Sequence, residues 1–189
     1  MTSERRPRPL RHVKDEIRVL AIKATETTPT WALGVVYRGR YWLDGVMKTQ
    51  LSPKGLDATG DLVEMIRGSP HYDQIRVIIL DDVTLGGRKF VDIRRLYEET
   101  LKPVILLMEE PPPEKVLESL GEGVRLRLEG WEGRMWLAGV SSRVAERVVR
   151  KAGGDEGVPE ALRVAELLSS AFLHILQGRR NILQERQKV

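Results

Sequence analysis

The sequence predicts an α/β fold, a mixed five-strand sheet with helices on its faces. Three observations predict it. The chain opens with three strand-like segments joined by short turns. Two later segments, Ile75–Asp81 and Pro103–Met108, are almost continuously apolar, as strands covered on both faces are. Segments with helical spacing lie before, between and after those two strands, which makes the later strands parallel.

The elements follow in order. Residues 17–23 form the first strand and 24–30 a polar turn. Trp31–Tyr37 and Tyr41–Met47 are the second and third strands, and Arg38-Gly39-Arg40 is short enough for a hairpin. Residues 57–67 carry Leu62, Val63, Met65 and Ile66 at helical spacing, and Gly68-Ser69-Pro70 stops that helix. After strand 75–81, residues 91–100 put Ile93, Leu96 and Tyr97 on one helical face. Strand 103–108 is followed by Pro111-Pro112-Pro113, which suits the first turn of a helix through Leu120. A meander followed by helix-linked parallel strands is the ribonuclease H-like arrangement. A doubly wound sheet does not open with a meander and wants a glycine fingerprint where this chain has Lys23-Ala24-Thr25. Beyond it, 124–128 and 134–140 read as two pairing strands, and Ser141 or Ser142 caps a helix to Ala152. Pro159 opens a long helix that Gly178 is expected to end near Gln177.

The bulk numbers exclude several classes. The 189 residues suffice for one domain with a core, and the absence of cysteine excludes disulfides and thiolate metal sites. His12, His71 and His174 show no zinc spacing. No apolar run is long enough to span a bilayer and no signal peptide is evident, so a cytoplasmic protein without a membrane partner is expected. Arginine exceeds lysine, which is compatible with a thermophile. The net charge of +4 is uneven. Residues 1–15 read as a basic N-terminal arm and 179–189 as a basic C-terminal tail, around a mildly acidic domain at 16–178. Such ends suit nucleic-acid phosphates or simply solvent.

The chemistry concentrates in Arg76-Val-Ile-Ile-Leu-Asp81-Asp82. Carboxylates at the ends of adjacent buried strands hold divalent ions for phosphodiester chemistry. In the predicted topology the first and fourth strands are neighbours, and their ends are Lys23 and Asp81. Asp57, at the start of the first helix, is the third candidate, with Asp82 and Glu26 as extras. An ammonium at Lys23 satisfies Asp81 and repels Mg²⁺. Asp57 otherwise reads as a helix-cap acid and Asp82 as a turn residue. Gly86-Gly87-Arg88-Lys89 is a candidate phosphate-binding loop, as are Arg179 and Arg180 on the C-terminal tail. Trp31, Trp42, Trp131 and Trp136 are candidate base-stacking platforms, although most tryptophans pack in cores.

Several motifs in order resemble an archaeal family of unknown function, the DUF ninety-nine family, related to endonuclease V. They are Glu16-Ile-Arg-Val-Leu-Ala-Ile, Trp42-Leu-Asp-Gly-Val, Gly55-Leu-Asp-Ala-Thr, Arg76-Val-Ile-Ile-Leu-Asp, Leu96-Tyr-Glu-Glu-Thr and Pro159-Glu-Ala-Leu-Arg-Val-Ala. The resemblance covers about residues 12–180. It implies the ribonuclease H-like, endonuclease V-like fold. It implies too that position 23, Asp81 and Asp57 are where endonuclease V-type enzymes place acids to cleave nucleic acid with Mg²⁺. The family usually reads Asp-Asp-Gly where this chain has Lys23-Ala24-Thr25, and Asp-Gly where it has Asp81-Asp82.

Three functions are therefore expected to compete. The first is an RNA- or DNA-associated protein with a degenerate metal site and little or no cleavage. The second is a Mg²⁺- or Mn²⁺-dependent endonuclease on deaminated nucleic acid, using Asp57, Asp81 and Asp82 or Glu26. The third is a protein-interaction module docking through helix 159–177.

Overall fold

The structure is a computed structural model that describes residues 10, 12–153 and 157–186, the side chains of residues 115, 119 and 179–186 excepted. The opening meander forms as the apolar alternation demands. It comprises β1 (Arg18–Ala24), β2 (Trp31–Arg38) and β3 (Trp42–Gln50), paired antiparallel. Next come α1 (Thr59–Arg67), β4 (Val77–Leu80), a small hairpin of β5 (Thr84–Leu85) and β6 (Lys89–Phe90), α2 (Ile93–Thr100) and β7 (Val104–Met108). The chain closes with α3 (Glu114–Leu120), β8 (Val124–Leu128), β9 (Trp131–Ala138), α4 (Ser142–Ala152) and α5 (Glu160–Arg186).

The main sheet has seven strands in the order β3-β2-β1-β4-β7-β9-β8, two more than the five predicted. The extra pair is the β8–β9 hairpin, which joins β7 antiparallel in the register Val104↔Ala138 to Met108↔Arg134. The five-strand core keeps the predicted arrangement, with β1, β4 and β7 parallel.

Strand alternation splits the core into two layers. Leu20, Ile22, Ile78 and Leu80 pack on one face with Leu62, Ile66 and Leu96 from α1 and α2. Val19, Ala21, Val77 and Ile79 pack on the other with Val148, Val149, Leu162 and Ala165 from α4 and α5. Burial on both faces explains why β4 reads as an unbroken apolar run.

Local chemistry revises several boundaries. Asp92 caps α2, accepting from the N–H groups of Arg94 (2.9 Å) and Arg95 (3.1 Å), so that helix starts at Ile93. The three prolines precede α3 instead of forming its first turn; Pro113 holds the extended N-cap conformation and accepts backbone bonds from Val116 and Leu117. Gly178 does not end α5, which continues to Arg186. An internal glycine costs a helix only about 1 kcal/mol relative to alanine, too little to stop it alone.

Arg18 and Arg38 face one another across β1 and β2, and both reach Asp44. Arg18 Nε donates to Oδ2 (2.7 Å), while Arg38 donates through Nη2 to Oδ1 (2.8 Å) and Nε to Oδ2 (3.1 Å). The register steps from Val36↔Gly45 to Tyr37↔Leu43, which makes Asp44 the extra residue of a β-bulge. Burial pushes the Asp44 carboxyl up, but the hydrogen bonds and charges of the two arginines outweigh it and hold the group below the ordinary aspartate range. A depressed folded-state value contributes stability above pH about 4 and loses it as pH falls through that value. Asp44→Asn is expected to lower stability by about 1–2 kcal/mol at neutral pH. Urea unfolding at a series of pH values should show that deficit shrinking below pH about 4.

Candidate functional site

The parallel register of β1 and β4 runs Val19↔Val77, Leu20↔Ile78, Ala21↔Ile79. Carried two residues further, it sets Lys23 opposite Asp81. Both share the parity of the residues facing α5, so both side chains turn toward that helix. Lys23 Nζ lies 2.6 Å from Asp81 Oδ2 and 3.0 Å from Glu166 Oε2 on α5. The site is one ammonium between two carboxylates. Lys23 and Asp81 are each less than one-third exposed, whereas Glu166 is 58% exposed.

Burial pushes the Lys23 ammonium down, but the charge of Asp81 and the hydrogen bonds the ammonium donates to Asp81 and Glu166 outweigh it. The net shift is upward from the ordinary lysine value. Lys23 is therefore a fixed cation at neutral pH and not a free-amine nucleophile or base. Burial also pushes the Asp81 carboxyl up; Lys23 pulls it only part of the way back, and the Glu166 charge adds to the rise.

These groups line a pocket of about 350 Å³ together with Thr25, Glu26, Asp82, Gly86, Gly87, Ser169 and Ser170. A second pocket, about 410 Å³, shares Asp81 and Asp82 and is lined by Trp131, Leu162, Glu109 and Glu110. The C-terminal end of the parallel strands is thus acidic, with Lys23 in its centre.

A divalent ion does not fit these residues. Lys23 Nζ already bridges the carboxylates that would be its donors, and a doubly charged ion about 4 Å from it would meet a repulsion of roughly 8 kcal/mol at an intermediate effective dielectric. Among the described residues, no three His, Asp or Glu side chains are grouped to hold a metal ion.

The other predicted residues are dispersed. Asp57 lies one residue before the N-cap of α1, on the opposite layer from α5. Its Oδ1 accepts from the Thr59 N–H (2.8 Å) and its Oδ2 pairs with Arg95 Nη1 (2.6 Å). Burial pushes the Asp57 carboxyl up, but the Thr59 and Arg95 contacts bring it below its ordinary value. Asp82 accepts from the Thr84 N–H and hydroxyl, both at 2.8 Å, as a turn aspartate does. Glu26 is exposed at the rim of the Lys23 pocket.

The glycine loop is the turn of the β5–β6 hairpin, with positive φ at Gly86 and Gly87. Arg88 donates through Nη1 to Thr28 Oγ1 (3.1 Å). Lys89 is buried, with its ammonium on the Gly55 carbonyl, so the loop does not present it to a phosphate as the sequence suggested. The side chains of Arg179 and Arg180, and residues 1–9 and 11 of the arm, lie outside the described residues.

Of the tryptophans, Trp136 is buried with Nε1 donating to the Gly121 carbonyl (2.9 Å), Trp131 is half-buried, and Trp31 packs edge-on against Phe172. Trp42 is 48% exposed.

Glu166 was absent from the residues singled out by sequence. Its signal is the α5 stripe of Ala161, Leu162 and Ala165, which it immediately follows. An acid bordering the buried stripe of a helix that crosses the β1 end is a candidate partner for Lys23.

A UPF0215 protein of Methanosarcina barkeri is 36% identical, covering 86% of this chain and 93% of the relative. The crystal structure of a protein of unknown function from Archaeoglobus fulgidus matches with a TM-score of 0.69 and 30% identity, covering 82% of this chain and 97% of that one. Endonuclease V of Ciona intestinalis, in complex with a 24mer DNA containing an inosine followed by a ribo-adenosine, matches with a TM-score of 0.55 and 14% identity over 89% of both chains. The fold is that of endonuclease V. The family model described as Endonuclease dU matches residues 15–137, and the chain belongs to that family.

Proposed function

We propose that this chain is a nucleic-acid-associated member of the endonuclease dU family that has little or no cleavage activity. The observation that carries the reading is Lys23 Nζ lying 2.6 Å from Asp81 and 3.0 Å from Glu166. Metal-dependent cleavage needs an ion with open coordination positions to activate water and to stabilise the leaving oxygen. A protonated lysine has none. Its single positive charge offsets one of the two negative charges and ties the ends of β1 and β4 to α5. Nucleic acid is supported as the partner class by the fold shared with a DNA-bound endonuclease V and by the basic ends of the sequence.

A second reading is a divalent-metal-dependent endonuclease on deaminated strands. It is favoured by Glu26, Asp81, Asp82 and Glu166 sharing one pocket. Deoxyuridine- and inosine-containing strands, incubated with Mg²⁺ or Mn²⁺, separate the two. No cleavage beyond that of Asp81→Ala supports the ion-pair reading. Cleavage by the wild type that Asp81→Ala abolishes would overturn it.

Two further outcomes are expected. Lys23→Met leaves the Asp81 carboxylate without the Lys23 ammonium and should cost about 1–3 kcal/mol at neutral pH. Without Lys23 the Asp81 value rises further, and a raised folded-state value favours the fold below the ordinary aspartate value and loses that contribution as pH rises through the raised one. The deficit should therefore be smallest in acid, read by denaturant unfolding at several pH values. Lys23→Asp replaces the ammonium with a third carboxylate beside Asp81 and Glu166. Saturating Mn²⁺ should raise the melting temperature of this variant by several degrees and leave the wild type unmoved.

A further inference from the structure

The tip of the β2–β3 hairpin, Arg38-Gly39-Arg40-Tyr41-Trp42, exposes aromatic rings where a sheet edge ordinarily hides them. Tyr41 and Trp42 are each 48% exposed, and their ring centroids lie 5.7 Å apart. Each ring carries its own guanidinium: Arg38 is 5.4 Å from the Trp42 centroid and Arg40 is 5.9 Å from that of Tyr41.

The tip is held in place. Gly39 has φ +56°, and a Cβ there would lie 2.0 Å from the Asp15 carbonyl oxygen, so the position takes glycine on both counts. Its N–H donates to the Ile17 carbonyl (2.8 Å), which seats the turn on the segment containing exposed Lys14. Asp44 fixes Arg38 beside Trp42.

We infer that this tip is a binding site for single-stranded nucleic acid, with bases stacking on Tyr41 and Trp42 and phosphates met by Arg40 and Lys14. Paired aromatics with interleaved cations bind single strands because every base has a stacking face and every linkage a charge. The competing occupant, a second copy paired along β3, is disfavoured by the same geometry. The bulge at Asp44 interrupts the ladder such an edge would need. The tip is a separate place from the Lys23 pocket. Arg18 pairs with Arg38 and Lys23 with Leu33, so the two sites are five residues apart along β1, about 17 Å.

The inference rests on the nucleic-acid reading above, and its test separates the two. The full-length protein is titrated at low salt with fluorescein-labelled oligo(dT) and oligo(U) of about fifteen nucleotides. Fold is checked by circular dichroism, and size by light scattering. Tyr41→Ala with Trp42→Ala should weaken binding at least about tenfold, and Tyr41→Phe with Trp42→Phe should keep it within about threefold. Arg40→Ala should weaken binding and lower the slope of log affinity against log salt by about one. The stronger of the two oligonucleotides distinguishes DNA from RNA. Wild type that binds neither oligonucleotide sinks both readings. Wild-type binding that the alanine pair leaves within about twofold sinks the tip site alone. A wild-type dimer that the alanine pair dissociates, with oligonucleotide binding unchanged, makes the tip a contact between copies and overturns the inference. If the alanine pair does not fold, quenching of tryptophan fluorescence by oligo(dT) decides: it should largely vanish in Trp42→Phe, and its persistence there counts against the tip.

Discussion

A carboxylate set at the end of a buried strand needs a cation, and the ion pair of Lys23 with Asp81 is how this chain meets that need. The register of β1 and β4 leaves little choice about position. Once Val19 sits beside Val77, the residues that follow the two strands meet at one place under α5. Burial raises the cost of a charge there for either group alone. Pairing outweighs that cost for Lys23 and offsets only part of it for Asp81, whose rise the Glu166 charge increases. A bound metal would solve the same electrostatic problem with an exchangeable ion of higher charge. A lysine solves it with a permanent one that has no coordination site to offer. The ion pair closes the polar end of the seam between the central strands and α5, whose apolar part is packed by Ala21, Ile79, Leu162 and Ala165.

Much of this was legible in the sequence because it is local or follows from parity. The meander, the two covered strands and their helices were set by apolar alternation and helical spacing, and the Lys23–Asp81 juxtaposition followed from placing β1 beside β4. What was not legible depends on long-range docking. Val124-Arg-Leu-Arg-Leu128 alternates like any half-exposed strand, and nothing within it says that its hairpin will extend the sheet through β7. Glu166 reaches Lys23 only because α5 lies across β1 and β2. Lys89 looked like a loop cation, but pairing with Leu85 in a short hairpin turns it inward onto Gly55. Asp57 keeps the role of a helix-start acid, and α1 lies on the other face of the sheet from α5, so its nearest cation is Arg95.

Charge is divided between the two ends of the sheet. Asp81, Asp82, Glu109, Glu110, Glu26 and Glu166 gather where the parallel strands end, with Lys23 among them. At the other end Arg18 and Arg38 hold Asp44, Lys151 holds Asp15, and Arg40 adds its charge beside Asp15. An acidic pocket without a divalent ion repels a phosphate backbone, while a tip with two exposed rings and cations attracts one. In a metal-using enzyme the ion makes one place serve both binding and chemistry. On the proposed reading, the lysine-bridged acidic end offers no such attraction, and a nucleic acid gains more at the far end of β1.

That separation bears on how far the two proposed properties depend on one another. Contacts at the hairpin tip depend on the β2–β3 turn, on Asp44 and on the backbone near Asp15. None of these touches the Lys23 cluster. A change at Lys23, Asp81 or Glu166 therefore alters the electrostatics under α5 and leaves the ring pair and its guanidiniums as they are. On the proposed reading, binding at the tip and chemistry at the strand ends are separable properties of one sheet.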